Sequence, residues 1–161
     1  MKKVLFVFGT RPEAIKMCPL IIKMKLQKEI ECKICLTGQH REMLKQVMDV
    51  FELKEDYNLN IMREKQSVTG ITISILQSIG EILDIEKPDF IFVHGDTTTS
   101  FAAALAAFYK KIRVCHIEAG LRTNDKYSPY PEEMNRRLIS QIADIHFAPT
   151  CLLYTSPSPR D

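Results

Sequence analysis

The stretch that decides the fold runs from His94 to Arg137 and reads HGDTTTSFAAALAAFYKKIRVCHIEAGLRTNDKYSPYPEEMNRR. It places three carboxylates, Asp96, Glu118 and Glu132, where predicted strands give way to loops or helices. Acidic side chains at such positions point into the crevice at the strand ends of an open parallel sheet, where that architecture binds ligands. The pattern favours a chemistry driven by carboxylates, with neither a metal nor a redox cofactor.

Apolar runs alternate with helical patterns along the rest of the chain, which is typical of βαβ units and a parallel sheet. The predicted strands are Val4–Phe8, Cys32–Thr37, Phe90–His94, Val114–Glu118 and Ile145–Ala148. The predicted helices are Pro12–Gln27, Arg41–Phe51, Ser67–Ile85, Thr98–Lys110 and Glu132–Ile142. The first, third and fourth strands are almost wholly apolar, as strands covered on both faces should be. We therefore expect an α/β fold with helices on both faces of the sheet.

Size and charge exclude several classes of protein. The 161 residues suit one α/β domain with a proper core. The 22 basic and 20 acidic side chains leave a net charge of +2, too balanced for a nucleic-acid-binding surface. No apolar run approaches the roughly 18 residues that span a bilayer, and the N-terminal KKVLFVFG is too short for a signal peptide. We expect a cytoplasmic protein that binds neither nucleic acid nor a membrane.

The five cysteines do not predict a metal site. Cys32 and Cys35 have C-x-x-C spacing, but they lie in a predicted strand. Residues three apart on a strand face opposite sides, so these two cannot easily share a zinc ion. We expect reduced cysteines that pack as small apolar side chains.

The last eleven residues, CLLYTSPSPRD at 151–161, break the alternating pattern. They resemble a translated sequencing-library adapter, and a segment of that origin carries no information about the natural fold. We therefore expect a natural domain over residues 1–150 and a tail that is not natural protein. A genuine disordered terminus is the alternative.

The sequence GTRPE directly follows the first predicted strand. Thr10 and Glu13 have the spacing of a capping box, and a helix N-terminus attracts anions. Arg11 would add a bidentate phosphate donor, with Lys16 about one turn further along. The alternative is a well-capped helix with two solvated cations. With one glycine in the turn and no G-x-G-x-x-G, the loop argues against a dinucleotide cofactor.

The sequence HGDTTT precedes an alanine-rich helix. Gly95 allows the backbone to turn, and Asp96 lies just before the helix, where the dipole favours an ionised carboxylate. Alternatively, Asp96 is only an N-cap. The alanines of one helix face suggest tight packing on the sheet: Ala102, Ala103, Ala106 and Ala107.

The sequence HIEAGLR ends another predicted strand. Glu118 closes an apolar run, where a carboxylate is costly unless it is paired or functional. Arg122 is its candidate partner in a purely structural ion pair. Because His116 and Glu118 are two residues apart, we expect them to project from the same strand face.

Two further segments add polar candidates. In PYPEEMNRR, Pro131 opens a helix with Glu132 in its first turn, and Glu132 and Arg136 have the i,i+4 spacing of a helical ion pair. Dipole arguments alone would explain that arrangement. Gln39 and His40 follow the second strand, where a lone histidine is usually just solvated.

Taken together, these motifs resemble the non-hydrolysing UDP-N-acetylglucosamine 2-epimerase family. The matching segments are FGTRPEAIKM, TGQHREML, NLNIM, HGDTTT, HIEAGLRT and YSPYPEEMNR. The resemblance covers essentially residues 1–150. It implies a Rossmann-like domain that forms the N-terminal half of a two-domain fold like that of B-type glycosyltransferases. Hydrolysing relatives share part of the pattern.

The resemblance also implies a chemistry. The family interconverts UDP-GlcNAc and UDP-ManNAc by eliminating UDP and adding it back, without a cofactor. Breaking the C1–O bond builds positive charge that carboxylates stabilise, and moving the C2 proton needs positioned acid–base groups. The second domain of the family supplies most contacts to uridine and diphosphate, so we expect the isolated chain to be inactive. A homodimer of the complete enzyme is expected by resemblance.

The family's functional positions map onto residues of this chain. Its catalytic carboxylates match Asp96, Glu118 and Glu132; its substrate-binding and supporting positions match Arg11, Lys16 and Arg136; and its region for a second, activating UDP-GlcNAc matches Gln39 and His40. The role of each carboxylate stays open. Two alternatives also stay open: a hydrolysing epimerase that releases free ManNAc, and a non-catalytic module that binds nucleotide sugars.

Overall fold

A computed structural model describes residues 1–38, 41–61 and 66–150. In chain order, the elements in these ranges are β1 (Lys2–Phe8), α1 (Arg11–Lys25), β2 (Ile30–Leu36), α2 (Arg41–Val50), β3 (Tyr57–Asn58), α3 (Val68–Glu86), β4 (Phe90–His94), α4 (Thr98–Tyr109), β5 (Arg113–Ile117), α5 (Glu132–Ile142) and β6 (Ile145–Phe147). Gln39 and His40 lie outside the described residues, as does the tail at 151–161.

The described strands form one sheet in the order β3-β2-β1-β4-β5-β6. Every neighbouring pair is parallel. The chain winds outward in one direction from β1 and in the other direction from β4, so the strand order reverses between them. In doubly wound sheets, ligands bind beside this reversal at the carboxyl ends of the strands.

Helices cover both faces of the sheet, as the apolar strands predicted. Along β1, Val4, Phe6 and Phe8 point to one side and Leu5 and Val7 to the other. The first set packs with α1 and α2, whereas the second packs with α3, α4 and α5. Burial on both faces confirms the α/β, Rossmann-like architecture.

The predicted elements are confirmed, with ends that agree to within two residues. The sequence pattern missed β3, because Tyr57–Asn58 is only two residues long and shows no alternation. Its pairing with Cys35 and Leu36 of β2 is a tertiary contact. No local pattern could have indicated it.

Helices α3 and α4, which pack on the same face of the sheet, bear on two predictions: the tight packing of the alanines and the absence of a segment long enough to span a membrane. Ala102, Ala103, Ala106 and Ala107 of α4 are buried, which confirms the predicted tight packing. By length and composition alone, α3 is long and apolar enough to cross a membrane, so the expectation that no segment approaches this length is wrong. Its residues Ile75, Ile79, Ile82 and Leu83 are nevertheless buried in the core of the domain.

The four cysteines in the described ranges behave as small apolar residues. Cys35 lies in the core beneath α3 and α4, and Cys32 packs against the opposite core, which confirms that they face opposite sides. Burial raises the pKa of the Cys35 thiol to about 12, and those of Cys18 and Cys115 to about 11. These groups are protonated thiols at neutral pH, which are poor nucleophiles and poor metal ligands.

Candidate functional site

The candidate site lies at the carboxyl edge of the sheet, beside the reversal between β1 and β4. The loops that leave β1, β4 and β5 meet there because the three strands are neighbours. The N–H of Gly95 donates to the carbonyl oxygen of Ile117 at 2.8 Å, which joins the loop after β4 to the end of β5. Side chains from these three loops, although distant in sequence, therefore lie close together at one edge of the sheet.

The start of α1 forms the capping box that the sequence predicts. Thr10 is the N-cap residue, and its hydroxyl accepts a hydrogen bond from the N–H of Glu13. The Glu13 carboxylate accepts hydrogen bonds from the N–H groups of Gly9 and Thr10, both at 2.8 Å. Arg11 and Lys16 are left exposed on the helix. The cap thus orders the loop that carries the two predicted anion-binding cations.

Glu13 does more than cap its own helix. It is only 2% exposed, and its second oxygen accepts a hydrogen bond of 2.9 Å from the hydroxyl of Thr97. Thr97 is itself the N-cap of α4, where its hydroxyl accepts from the N–H of Ser100 at 3.1 Å. One buried carboxylate therefore links the N-termini of α1 and α4. The capping-box spacing indicated the local role but not this contact.

Asp96 is not an N-cap, because Thr97 occupies that position. The Asp96 carboxylate instead lies 3.6 Å from Nε of Arg136. Burial raises the pKa of Asp96, against the opposing effect of Arg136. Gly95 has φ of +63°, and beyond its chain neighbours no atom lies within 4 Å of the position a Cβ would take, so backbone conformation rather than space favours glycine there.

Glu118 lies just after β5 with φ of +61°, a left-handed conformation that is uncommon for residues other than glycine. Its carboxylate pairs with Lys16 and lies 3.3 Å from Nε2 of His94. Arg122 instead donates to the Leu121 carbonyl and the Ser140 hydroxyl. The alternative in which Glu118 only forms an ion pair with Arg122 is therefore wrong.

The expectation that His116 and Glu118 share one strand face is also wrong. His116 continues the face of Val114, which packs beneath α3, α4 and α5. Glu118 has left the strand, and its left-handed backbone turns the side chain toward α1 on the opposite face. The alternation rule holds only while the chain stays extended.

The first turn of α5 carries Glu132, as the sequence predicts, and also Glu133. Arg136 is only 3% exposed and lies 3.5 Å from Glu133 as well as beside Asp96, rather than pairing with Glu132. Glu133 is fully buried and accepts hydrogen bonds from the N–H of Thr123 and Nε of Arg137. Glu133 was not among the predicted site residues, although its i,i+3 and i,i+4 spacing to the two arginines was the available signal.

The structure brings the three predicted carboxylates together. The charges of Glu132 and Glu118 both act to raise the pKa of Asp96, although burial contributes most to that shift. Lys16 accompanies Glu118, and Arg136 accompanies Asp96. Arg11 lies exposed on the neighbouring first turn of α1, and no described contact joins it to the cluster. The result is a charged cluster in which Glu118 and Asp96 each have a cationic partner.

His116 contacts the loop that carries Asp96, and its titration makes the free energy of unfolding depend on pH. It is fully buried, and its Nε2 donates to the carbonyl oxygen of Gly95 at 2.6 Å. Burial lowers its pKa to about 4, although the hydrogen bond to Gly95 opposes the shift. The unfolded chain has the ordinary value near 6.5. The contribution of His116 to stability is therefore fully present above about pH 6.5, and it is lost as the pH falls toward 4.

We expect acid to destabilise the wild-type chain by about 3 kcal/mol more than a His116→Gln variant between pH 7 and pH 4. Glutamine can donate to the same carbonyl but does not titrate. Urea unfolding of both chains at the two pH values measures the difference, since carboxylates titrating in this range contribute equally to both. Parallel pH dependence of the two chains would contradict the prediction.

Comparison with known proteins identifies the relatives of this chain. A family model described as UDP-N-acetylglucosamine 2-epimerase matches residues 23–152. The UDP-N-acetylglucosamine 2-epimerase of Salmonella borreze is 64% identical over 150 residues, which are 93% of this chain and 40% of that protein. The chain thus spans about 40% of the length of this relative.

Solved structures agree with the sequence comparison. The UDP-GlcNAc 2-epimerase from Neisseria meningitidis, crystallised with UDP-GlcNAc, matches with a TM-score of 0.92 at 58% identity, over 96% of this chain and 42% of that one. Acinetobacter baumannii MurG, which has the B-type glycosyltransferase fold, matches with a TM-score of 0.60 at 15% identity, over 91% of this chain and 40% of that one. The second likeness shows the fold alone.

Proposed function

This chain belongs to the UDP-N-acetylglucosamine 2-epimerase family, and we propose that it is the N-terminal half of an enzyme that interconverts UDP-GlcNAc and UDP-ManNAc. Residues 1–150 form its first Rossmann-like domain. The second domain, which faces it across the cleft, completes the site. The eleven-residue tail is adapter-derived in this proposal and takes no part in the chemistry.

A single observation carries the proposal: acids and cations converge at the carboxyl edge of the sheet. Asp96 lies beside Arg136, and Glu118 beside Lys16. Nucleotide sugars present both a diphosphate, which cations bind, and an anomeric carbon that becomes positive as its C1–O bond breaks. Carboxylates stabilise that positive charge.

The cations and the α1 N-terminus are assigned to the leaving diphosphate. Arg11 and Lys16 are exposed on the first turns of α1, whose positive dipole end faces the crevice. When the C1–O bond breaks, UDP leaves with the bonding electron pair, and the extra negative charge falls on its β-phosphate. Cations held at that oxygen lower the barrier because they interact more strongly with the transition state than with the bound substrate.

The carboxylates are assigned to carbons C1 and C2. A carboxylate takes the C2 proton, and the C–H electron pair becomes the C1=C2 double bond of a 2-acetamidoglucal. UDP then adds back at C1 while a proton returns to the opposite face of C2. Burial raises the pKa of Asp96, so this carboxyl holds a proton more readily than an exposed one, and Glu118 is assigned as the second acid–base group. Glu132 supplies negative charge toward C1.

The remaining features of the proposal rest on the family. The sequence of elimination and re-addition is redox-neutral and therefore needs no cofactor. The complete enzyme is a cytoplasmic homodimer with nucleotide-sugar ligands, and it interacts with neither nucleic acid nor a membrane. Gln39 and His40 bind a second, activating UDP-GlcNAc. None of these features is needed for the chemistry assigned to the described residues.

The test is turnover of UDP-GlcNAc in D₂O by a complete protein that carries this chain as its first domain. We expect UDP-ManNAc with deuterium at C2, because the C2 proton is exchanged with solvent while the intermediate is bound. Proton NMR measures both the product and the label. The isolated 161-residue chain is the control, and we expect it to give no product because the second wall of the cleft is missing.

Other products would identify the competing functions. Free ManNAc and UDP, without UDP-ManNAc, would indicate the hydrolysing type. Binding of UDP-GlcNAc without turnover by the complete protein would indicate a non-catalytic module. UDP-ManNAc without deuterium at C2 would contradict the proposed proton transfer.

A further inference from the structure

His94 is a buried imidazole that the proposed function does not use. It is the last residue of β4, directly before the loop that carries Asp96, and is only 5% exposed. Its Nε2 atom is buried and makes no hydrogen bond within the described part of the chain. Leaving a buried polar atom unsatisfied costs about 1–3 kcal/mol, so such an atom calls for an explanation.

The Glu118 carboxylate lies beside this nitrogen and could accept a hydrogen bond from it. Nε2 of His94 lies 3.3 Å from Oε2 of Glu118, close enough to form a hydrogen bond after a small adjustment. Glu118 reaches this position through its left-handed backbone, a conformation that costs about 1–3 kcal/mol and clusters at functional sites. Two unfavourable features, an unsatisfied nitrogen and a strained backbone, therefore meet at one contact.

The charges around His94 come from three parts of the fold. Glu118 follows β5, Glu13 and Lys16 lie on α1, and Asp96 lies on the loop after His94 itself. Burial lowers the pKa of His94, while the carboxylates oppose that shift and Lys16 adds to it. The imidazole is thus neutral at neutral pH and able to accept a proton.

Lys16 and His94 both contact the same Glu118 oxygen. A bound diphosphate would compete for the Lys16 ammonium, because Lys16 is one of the cations assigned to it. Glu118 would then keep His94 as its remaining partner.

We propose that His94 is a positioning residue that orients Glu118 and exchanges a proton with it during turnover. The inference rests on the proposed function for its chemical setting. After Glu118 accepts a proton from substrate, its O–H bond breaks as the Nε2 lone pair of His94 forms an N–H bond. The products are a Glu118 carboxylate and a His94 imidazolium. The reverse transfer returns the proton, so the pair ends the cycle unchanged.

The first test needs no catalysis and uses the 161-residue chain. Its histidines are labelled with ¹⁵N, and the His94 ring is titrated by NMR in the wild type and in Glu118→Gln. We expect the pKa of His94 to fall in Glu118→Gln, because the lost carboxylate favours the imidazolium. Asp84→Asn is the control and should leave the His94 titration unchanged, since Asp84 is an exposed carboxylate on α3 that pairs with Lys110. An unchanged titration in Glu118→Gln would overturn the proposal.

The second test measures kcat against pH in the complete protein for His94→Gln and His94→Leu. Glutamine can still donate a hydrogen bond to Glu118 but cannot exchange a proton. We expect kcat to fall about 10²–10³-fold in both variants, and the limb of the pH profile that belongs to the imidazole to disappear. Wild-type kcat and an unchanged pH profile in His94→Gln would show that His94 exchanges no proton, and the same result in His94→Leu would show that it does not position Glu118 either.

The two tests fail differently. If the complete protein does not epimerise UDP-GlcNAc, the proposed function fails, while the NMR titration still decides whether His94 and Glu118 are coupled. If the enzyme is active and the titrations are uncoupled, only the assignment of His94 fails. Circular dichroism of each variant confirms that it is folded before either result is interpreted.

Discussion

Replacing Asp96 with asparagine in the complete protein is expected to lower kcat about 10²–10⁴-fold, the usual contribution of a positioned acid–base group. Asparagine keeps the size and one acceptor oxygen of the side chain but cannot hold a proton or a negative charge. The measurement is the initial rate of UDP-ManNAc formation at saturating UDP-GlcNAc. The matched control, Asp84→Asn, changes an exposed carboxylate that pairs with Lys110, the residue directly after α4, and we expect it to keep wild-type activity.

The loss of activity in Asp96→Asn should not come from unfolding. Burial raises the pKa of Asp96, so the ionised carboxylate is less favourable in the folded chain than in the unfolded chain. This group therefore contributes stability below its unfolded pKa and loses that contribution as the pH rises through the folded value. At neutral pH, removing the charge relieves a cost, and Arg136 keeps Glu133 as a partner. An active Asp96→Asn enzyme would show that Asp96 is not catalytic.

Replacing Glu133 with alanine is expected to lower the free energy of unfolding by about 3–5 kcal/mol, the cost of breaking a buried ion pair by removing one partner. Glu133 is fully buried, and its carboxylate contacts Arg136, Arg137 and the N–H of Thr123. Its removal would leave the Arg136 guanidinium, itself only 3% exposed, with Asp96 as its single acidic partner among the described residues. Urea unfolding of the 161-residue chain measures the change.

The control for Glu133→Ala is Asp84→Ala, which removes a carboxylate from an ion pair at the surface. Exposed pairs contribute about 0–1 kcal/mol, because water screens them and both side chains lose conformational freedom. We therefore expect the two substitutions to differ by several-fold in their effect on the free energy of unfolding. A loss as small as that of the surface control would mean that the buried cluster does not support the fold.

The effect of Glu133 extends to the proposed chemistry. Glu133 holds Arg136 from one side, while Asp96 lies on the other, and the amide of Asn135 donates to the backbone carbonyl of Asp96 at 2.9 Å. The first turns of α5 therefore position Asp96 through both its side chain and its backbone. A fold that loses Glu133 also loses the fixed position of the cation beside the proposed catalytic acid.

Much of this fold follows from the sequence because its signals are local. Apolar runs such as Phe90–His94 can be satisfied only by burial on both faces, which predicts a parallel sheet before any contact is known. Capping residues Thr10 and Glu13 likewise act within one turn of helix. The short strand Tyr57–Asn58 has no such signal, because its only distinguishing feature is pairing with β2.

The candidate site likewise contains residues that local sequence identifies and contacts that it does not. Asp96, Glu118 and Glu132 could be identified as candidates because each follows a recognisable element. Their partners could not, since Lys16 is 102 residues from Glu118 and local spacing suggested Arg122 instead. The buried acids Glu13 and Glu133 looked like ordinary helix-start residues. Only burial distinguishes them from solvated ones.

The sequence by itself determined the alternation of strands and helices, the helix caps and the placement of three acids at element ends, because these depend on residues close together in the chain. Only the tertiary structure decided which acid faces which cation, and that His94 faces Glu118. Those contacts exist because β1, β4 and β5 lie side by side, so that loops separated by tens of residues meet at one edge of the sheet. Charge pairing there depends on distance in space and on burial, and neither quantity can be read from a linear sequence.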